Sequence, residues 1–308
     1  MMRSIDGRAG LVAELDRLSG TDPVASGAPR GTGIARYLSE GLLTEAATGN
    51  REGPYWRLTL HLLQRLSIWW SPGGYALIPT MTPWCIRDRS ARWDQGPESW
   101  GSPHENGYLR DDNSIIKKLP IPLNVTASTG HVYAGGKASR GFTACHIWRK
   151  LDDGGIGGSD PWIYSFMANL VWIPSPLNSL TDHHPRVQAL LQATSRAIFC
   201  GHEGISTAAY TDYAWNRLIP HGVPVPVEPR LDVDNLAFFE INSAFVERRL
   251  VYLDKFVAGA DTVLAGRPLS TKLVSSRYTA GLPLLDPESV QKFRAMLHDY
   301  AHAVRAGL

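Results

Sequence analysis

The chain has 308 residues, of which 44% are hydrophobic and 19% are charged, and this composition excludes a protein that is disordered throughout. Its 31 Lys and Arg against 29 Asp and Glu give a formal net charge of +2, which excludes a polybasic binder and confines any nucleic-acid surface to a local patch. The three cysteines are too widely spaced to indicate a disulfide framework or a structural zinc site. No apolar run reaches the roughly 18 residues of a membrane span, and the first residues lack the apolar stretch of a signal peptide. We therefore expect a cytoplasmic protein with no membrane partner.

The first 70 residues have the periodicity of helices. Residues 11–18 and 34–47 carry apolar side chains about one helical turn apart, which predicts two packing helices. Residues 55–70 repeat this pattern up to a Ser-Pro-Gly-Gly sequence, so the pattern predicts one buried helix over the whole stretch. Its His61 and its two terminal tryptophans are interpreted as core residues.

Residues 71–125 are interrupted by Pro and Gly every few positions, which predicts a loop-rich surface. Arginine and tryptophan alternate in this segment, and a guanidinium fork and an indole face suit phosphates and bases. We therefore regard residues 84–118 as candidate DNA readers, with Arg87, Arg89 and Arg92 as binding residues. The alternative is an irregular solvated region in which the tryptophans, among them Trp84, are anchors.

Residues 137–187 contain potential catalytic and metal-binding residues in a defined order of predicted strands, loop and helix. A strand-like run begins at residue 142, and its apolar alternation ends at His146. A Gly-rich loop, which we interpret as flexible, is followed by a second short strand headed by Asn169 and then by helical sequence. Asn178 and Asp182 are four residues apart, so they face one side of that helix.

This arrangement resembles the HNH, or His-Me finger, endonuclease family, in which two strands and a helix form a ββα-metal core. The resemblance implies that His146 is the general base and that Asn169 holds it through the loop. It also implies that Asn178, nine residues after Asn169, and Asp182, four further on, hold one divalent cation per subunit. Mg²⁺ is expected, with Mn²⁺ as the alternative. The family usually has a metal ligand directly before the base, where this chain has Cys145. That thiol is either a soft ligand or a small packed residue, and we favour packing.

Four cations flank the first strand where a DNA backbone could pass: Lys137, Arg140, Arg149 and Lys150. Each could equally be an ordinary surface charge. The neighbouring His183 and His184 are interpreted as the solvated end of a helix stopped by Pro185, and the two cysteines outside the motif as core thiols.

Beyond residue 200 the sequence again predicts helices, at 235–260 and 288–307, and both could serve the core or a dimer face. The predicted fold is α+β. A ββα-metal nuclease core at 126–205 lies between an N-terminal helical and loop-rich region for DNA recognition (1–125) and a mainly helical region for dimerisation (206–308).

The predicted activity is hydrolysis of phosphodiester bonds in double-stranded DNA. Architectural analogy favours a sequence-specific type II restriction endonuclease that acts as a homodimer, each subunit cutting one strand. One alternative is an effector or toxin nuclease without strict sequence choice. Another is a DNA-binding protein that is not catalytic, because its finger is degenerate at Cys145.

Overall fold

The computed structural model describes residues 3–87, 109–111, 113–151, 153–219, 229–269 and 282–308. It confirms a mixed α+β fold. The described helices are α1 (Gly7–Leu18), α2 (Pro23–Gly27), α3 (Ile34–Ala47), α4 (Pro54–Leu66), α5 (Pro72–Leu77), α6 (Ser114–Lys118), α7 (Pro161–Tyr164), α8 (Asn178–His183), α9 (Pro185–Phe199), α10 (Ala208–Leu218), α11 (Ser243–Leu264) and α12 (Pro287–Ala306). The described strands are β1 (Arg3–Asp6), β2 (Ile68–Trp70), β3 (Cys85–Arg87), β4 (Leu109–Asp111), β5 (Val125–Thr126), β6 (Gly136–Arg140), β7 (Phe142–His146), β8 (Leu170–Pro174) and β9 (Ala237–Phe239).

The central sheet has five strands in the order β5-β9-β2-β8-β7. Strands β9 and β2 are parallel, and the other neighbours are antiparallel. The sheet combines β2 from the predicted N-terminal region, β7 and β8 from the predicted core, and β9 from the predicted C-terminal region. The regional boundaries themselves stay a prediction.

Strand β8 lies at the centre of the hydrophobic core. All five of its residues are buried, as expected for a strand covered on both faces. Helices α1 and α4 pack against it. The Trp172 ring meets the Trp70 ring edge to face with centroids 5.0 Å apart, and it meets the Phe239 ring at 5.3 Å. These aromatic contacts join strands that are distant in sequence.

The single helix predicted over residues 55–70 is wrong at its end. Helix α4 stops at Leu66, Ser67 adopts an extended backbone, and Ile68 begins strand β2. β-branched and aromatic residues suit strands, and the partner strand β9 lies far along the chain, where local periodicity gives no sign of it. Trp69 and Trp70 are fully buried as predicted, whereas His61 is about one-third exposed and contacts Glu14.

Three further predictions need correction. Residues 235–260 contain the strand β9 before helix α11 begins. His184 is buried rather than solvated; it lies between α8, which ends at His183 as predicted, and α9, which begins at Pro185, a position where the missing N–H of proline costs nothing. Cys200 is exposed and is therefore not a core thiol, while Cys85 is buried as predicted.

Strands β3 and β4 form a separate two-stranded parallel sheet in which Arg87 pairs with Asp111. Trp84, just before β3, is only 3% exposed and stacks on Phe256 of α11 with ring centroids 4.8 Å apart. It is therefore an anchor and not a surface reader. Arg89 and Arg92 lie outside the described residues. Within the described ranges, no helix is both long enough and apolar enough to cross a membrane.

Candidate functional site

The predicted order of strand, loop, strand and helix is present at residues 142–183, as β7, a long loop, β8, one 3-10 turn and α8. Strands β7 and β8 pair antiparallel with His146 opposite Leu170. This register places Asn169, the residue before β8, beside the point where the chain leaves β7.

Asn169 holds both ends of the loop. Its side chain is fully buried; Oδ1 accepts a hydrogen bond from the Trp148 N–H at 2.7 Å, and Nδ2 donates to the Ile163 carbonyl at 3.4 Å. Its own carbonyl accepts from the Ile147 N–H at 3.0 Å. Because buried backbone groups need partners, one side chain here fixes the backbone immediately after His146 and that near the end of the loop.

The imidazole of His146 is held in one tautomer. Nε2 lies 2.9 Å from the Tyr164 carbonyl oxygen, which can only accept, so Nε2 carries the proton and Nδ1 keeps a free lone pair. No described residue donates to Nδ1. The ring also stacks on the Tyr164 ring, with centroids 5.5 Å apart and an interplanar angle of 15°.

Burial lowers the pKa of His146 to about 4. The hydrogen bond to the Tyr164 carbonyl opposes this shift, and the nearby positive charges of Arg87 and Arg149 lower the pKa further. The imidazole is therefore neutral at pH 7 and able to accept a proton.

A cavity of about 820 Å³ opens beside this histidine. The predicted base and the three candidate metal ligands line it together: His146, Cys145, Asn178 and Asp182. Asn169 lies behind the cavity, in the core. The site is thus assembled from the end of β7 and from one face of α8.

The donors on α8 suit a hard cation. The Asn178 amide and the Asp182 carboxylate offer oxygen ligands one helical turn apart, and no described residue donates to that carboxylate. The described part of the chain contains no group of three or more His, Cys, Asp or Glu side chains that could hold a metal ion. A cation held here would take its remaining ligands from water or substrate, as Mg²⁺ commonly does.

Cys145 does not act as a thiolate in this structure. Its side chain is buried, and Sγ donates to Asn178 Oδ1 at 3.1 Å. Burial raises the pKa of the thiol to about 12, so it stays protonated at neutral pH. This geometry agrees with the packed residue favoured from the sequence, and it leaves Asn178 Oδ1 a second lone pair for a cation.

The cavity is positively charged overall. Arg87, Arg149 and Lys150 line it, and Asp182 is the one acidic residue among its described lining. The Arg149 guanidinium donates to the Asp182 carbonyl at 2.7 Å, which ties the end of α8 to the residues after β7. Three cations around one carboxylate suit an anionic ligand.

Two predicted cations lie elsewhere. Lys137 and Arg140 are on β6, which pairs with β1, and neither lines this cavity. The Arg140 guanidinium forms an ion pair with the Asp6 carboxylate at 2.7 Å.

No motif in the sequence indicated the residues that position the histidine. The Tyr164 O–H donates to the Asp111 carboxylate at 2.7 Å, and that fully buried carboxylate also accepts from the Ile115 N–H. The contact that orients His146 is made by a backbone carbonyl, which has no residue-type signature. Only the Asp160-Pro161 start of helix α7, where the Asp160 carboxylate caps the helix, gave a local clue.

Part of the Gly-rich loop is ordered by packing. Residues 157–159 form a 3-10 turn, and the Gly157 N–H donates to the Arg149 carbonyl. A Cβ at Gly158 would lie 2.9 Å from the Arg87 Cβ. Glycine at this position therefore lets Arg87 lie across the loop at the cavity edge.

Comparison of the chain with protein-family models, with curated proteins and with solved structures gave no match.

Proposed function

We propose that this chain is a metal-dependent endonuclease that hydrolyses phosphodiester bonds in double-stranded DNA, with residues 142–183 serving as a finger of the HNH type. One observation carries the proposal. A histidine with a fixed tautomer and a free nitrogen lines the same cationic cavity as two oxygen donors on one face of a helix.

His146 is the proposed general base. Its Nδ1 takes a proton from the attacking water, while the Tyr164 carbonyl holds Nε2–H and steadies the charge that develops on the ring. Asn169 acts indirectly, by fixing the loop that presents this carbonyl.

Asn178 and Asp182 are the proposed ligands of one Mg²⁺ or Mn²⁺ ion per subunit. When bound, that ion supplies positive charge against the charge that builds on the phosphate and the leaving oxygen. Arg87, Arg149 and Lys150 bind the phosphate backbone around the same point.

The finer proposal is a sequence-specific restriction enzyme that acts as a homodimer. One proposed site per chain cuts one strand, so a double-strand break at a palindrome needs two chains. The stripes of α11 and α12 pack against each other within one chain, so a dimer would use other surface.

The test is cleavage of a supercoiled plasmid in the presence of Mg²⁺ or Mn²⁺. We expect discrete fragments from the unchanged protein, and loss of cleavage in His146→Ala and Asp182→Ala with thermal unfolding still cooperative. His183→Ala is the matched control, because His183 is an exposed histidine on the same helix and does not line the cavity. It should cut normally.

Each other outcome excludes part of the proposal. A smear of products supports a non-specific effector or toxin nuclease in place of the restriction enzyme. DNA binding without cleavage in either metal supports a degenerate finger. Normal cleavage by His146→Ala contradicts the assigned base.

A further inference from the structure

A second cavity, of about 970 Å³, adjoins the first. Arg87, Asn113, Thr143 and Ala144 line both cavities, so the two adjoin at strand β7. The walls of the second cavity are helix α6 and one face of helix α11, and we refer to it as the α6–α11 groove.

The groove concentrates cations that have no carboxylate partner among the described residues. Lys117 and Lys118 come from α6, Arg248 and Arg249 from α11, and Arg87 is shared with the first cavity. No described residue forms an ion pair or a side-chain hydrogen bond with any of the five, and none of the described lining residues is acidic. Like charges gathered without counter-charges repel one another, so this arrangement indicates an anionic ligand.

Arginines in other parts of the described chain form ion pairs, in contrast to the cations of the groove. Exposed or partly exposed arginines outside the groove commonly have carboxylate partners, as in Arg30 with Asp16, Arg186 with Glu52 and Arg305 with Asp254. A protein with a formal net charge of only +2 has enough carboxylates to neutralise the groove cations. The carboxylates that the structure describes lie outside the lining of the groove.

Arg249 is prepared to donate to a phosphate. Its guanidinium lies 4.7 Å from the centroid of the Tyr252 ring and 5.6 Å from that of Phe245, which holds its plane against aromatic side chains. Its Nε is buried and has no hydrogen-bond partner among the residues that the structure describes. A planar, partly desolvated guanidinium with free donors binds phosphate in a bidentate manner.

The aromatic residues of the groove offer unpaired bases no more than one exposed ring. Trp84 and Phe256 are almost fully buried and stack on each other. Tyr252 is 45% exposed, but its ring already contacts Trp84 and the Arg249 guanidinium. Single-strand binding relies on several exposed aromatic faces. Five cations with a single partly exposed ring favour recognition of the backbone of a paired duplex.

We propose that the α6–α11 groove binds the phosphate backbone of double-stranded DNA on one side of the cleavage point. This inference rests on the proposed nuclease function, since it takes the groove as the continuation of the path of DNA through the first cavity. The sequence predicts a role for α11 either in the core or in a dimer interface. The present inference assigns one face of α11 to binding of the substrate.

The test is the salt dependence of binding to a short fluorescein-labelled DNA duplex, measured by anisotropy in EDTA so that no cleavage occurs. We compare Lys117→Ala/Lys118→Ala and Arg248→Ala with the control Arg36→Ala/Lys292→Ala, whose exposed residues line neither cavity. Each lost phosphate contact should reduce the slope of log K against log salt by about 0.9 and weaken binding roughly tenfold at 100 mM salt. The control variant should bind as the unchanged protein does.

Arg249 is tested by two variants, because truncation beside Tyr252 and Phe245 could disturb α11. Arg249→Met keeps most of the packing, and Arg249→Lys keeps the charge but lacks the planar fork. Both should fold with an unchanged far-ultraviolet circular dichroism spectrum and bind the duplex more weakly. Unchanged affinity and slope in the groove variants would overturn the inference.

The outcomes distinguish this inference from the proposed function. His146→Ala should lose cleavage but bind DNA with the normal salt slope, so an error in the assigned base would not change the binding result for the groove. If the groove variants bind DNA normally, the proposed role of the groove is wrong, and cleavage of the plasmid still supports the proposed function. Single-stranded DNA binding as tightly as duplex, or polyglutamate competing equally well at equal charge, would contradict a duplex-specific backbone site.

Discussion

Replacing Asn169 by alanine tests whether the loop that follows His146 is held by one amide. The change leaves the buried Trp148 N–H without its acceptor at 2.7 Å and removes a weaker bond to the Ile163 carbonyl. An orphaned buried donor costs about 1–3 kcal/mol, and a long bond of this kind adds up to about 1 kcal/mol. We therefore expect the free energy of unfolding to fall by about 3 kcal/mol.

A domain with a stability of roughly 5–15 kcal/mol stays folded after such a loss. In urea, the unfolding midpoint should fall by about 1 M if m is about 3 kcal/mol/M. Cleavage should fall with it, because the Tyr164 carbonyl that orients His146 lies in the released loop.

Asn178→Ala is the matched control for this experiment. That amide is only partly buried and accepts from a thiol, a weak donor, so its loss should cost less than about 1 kcal/mol. Cleavage should nevertheless be lost if Asn178 holds the cation. Equal urea midpoints for Asn169→Ala and the unchanged protein would refute the reasoning, as would equally large losses of stability in both variants.

Three other changes have expected outcomes. Tyr164→Phe removes the hydrogen bond to Asp111 but keeps the ring and the backbone carbonyl. We therefore expect the midpoint of thermal unfolding to fall by about 3 °C and the cleavage rate to fall less than about tenfold. A complete loss of cleavage would show that the hydroxyl has a direct role. Hydrogen bonds from His61 and Arg17 lower the pKa of Glu14 from 4.5 to about 2. The ionised Glu14 carboxylate therefore stabilises the folded state fully above pH 4.5, and this contribution is lost as the pH falls towards 2. Between pH 4.5 and pH 2, the free energy of unfolding measured in urea should fall by about 3 kcal/mol more in the unchanged protein than in Glu14→Gln. Parallel curves of this free energy against pH for the two proteins would contradict the assignment. Among the three cysteines only Cys200 is exposed, so a disulfide reagent should titrate one thiol per folded chain and three after unfolding; two fast thiols would contradict the burial.

Much of the site could be predicted because its signals are local. The alternation that ends at His146 is a strand signal, and the spacing of Asn178 and Asp182 needs only helical geometry to bring both to one cavity. Helices 34–47 and 287–306 were found for the same reason, since an apolar stripe is visible within a few turns.

What the sequence did not reveal depends on partners far along the chain or on the backbone. Ile68–Trp70 became a strand because β9 pairs with it, and His184 is buried between the end of α8 and the start of α9. The histidine is oriented by the Tyr164 carbonyl, and any residue type supplies a carbonyl. The sequence left Trp84 open between a surface reader and an anchor, because its stacking partner, Phe256, is more than 170 residues away.

The charge distribution reconciles a nearly neutral chain with the polyanionic substrate that we propose. The composition excluded a binder that is basic throughout. The described lining of the two adjoining cavities has one carboxylate, that of Asp182, and seven cations: Arg87, Arg149, Lys150, Lys117, Lys118, Arg248 and Arg249. Local clustering of this kind needs no excess of basic residues, because carboxylates elsewhere balance the total. Arg87 lines both cavities, so a phosphate bound in the groove and one bound beside His146 would share a cation. Tight binding of the duplex and correct placement of the scissile phosphate would then be linked through one side chain, which Gly158 allows to lie across the loop.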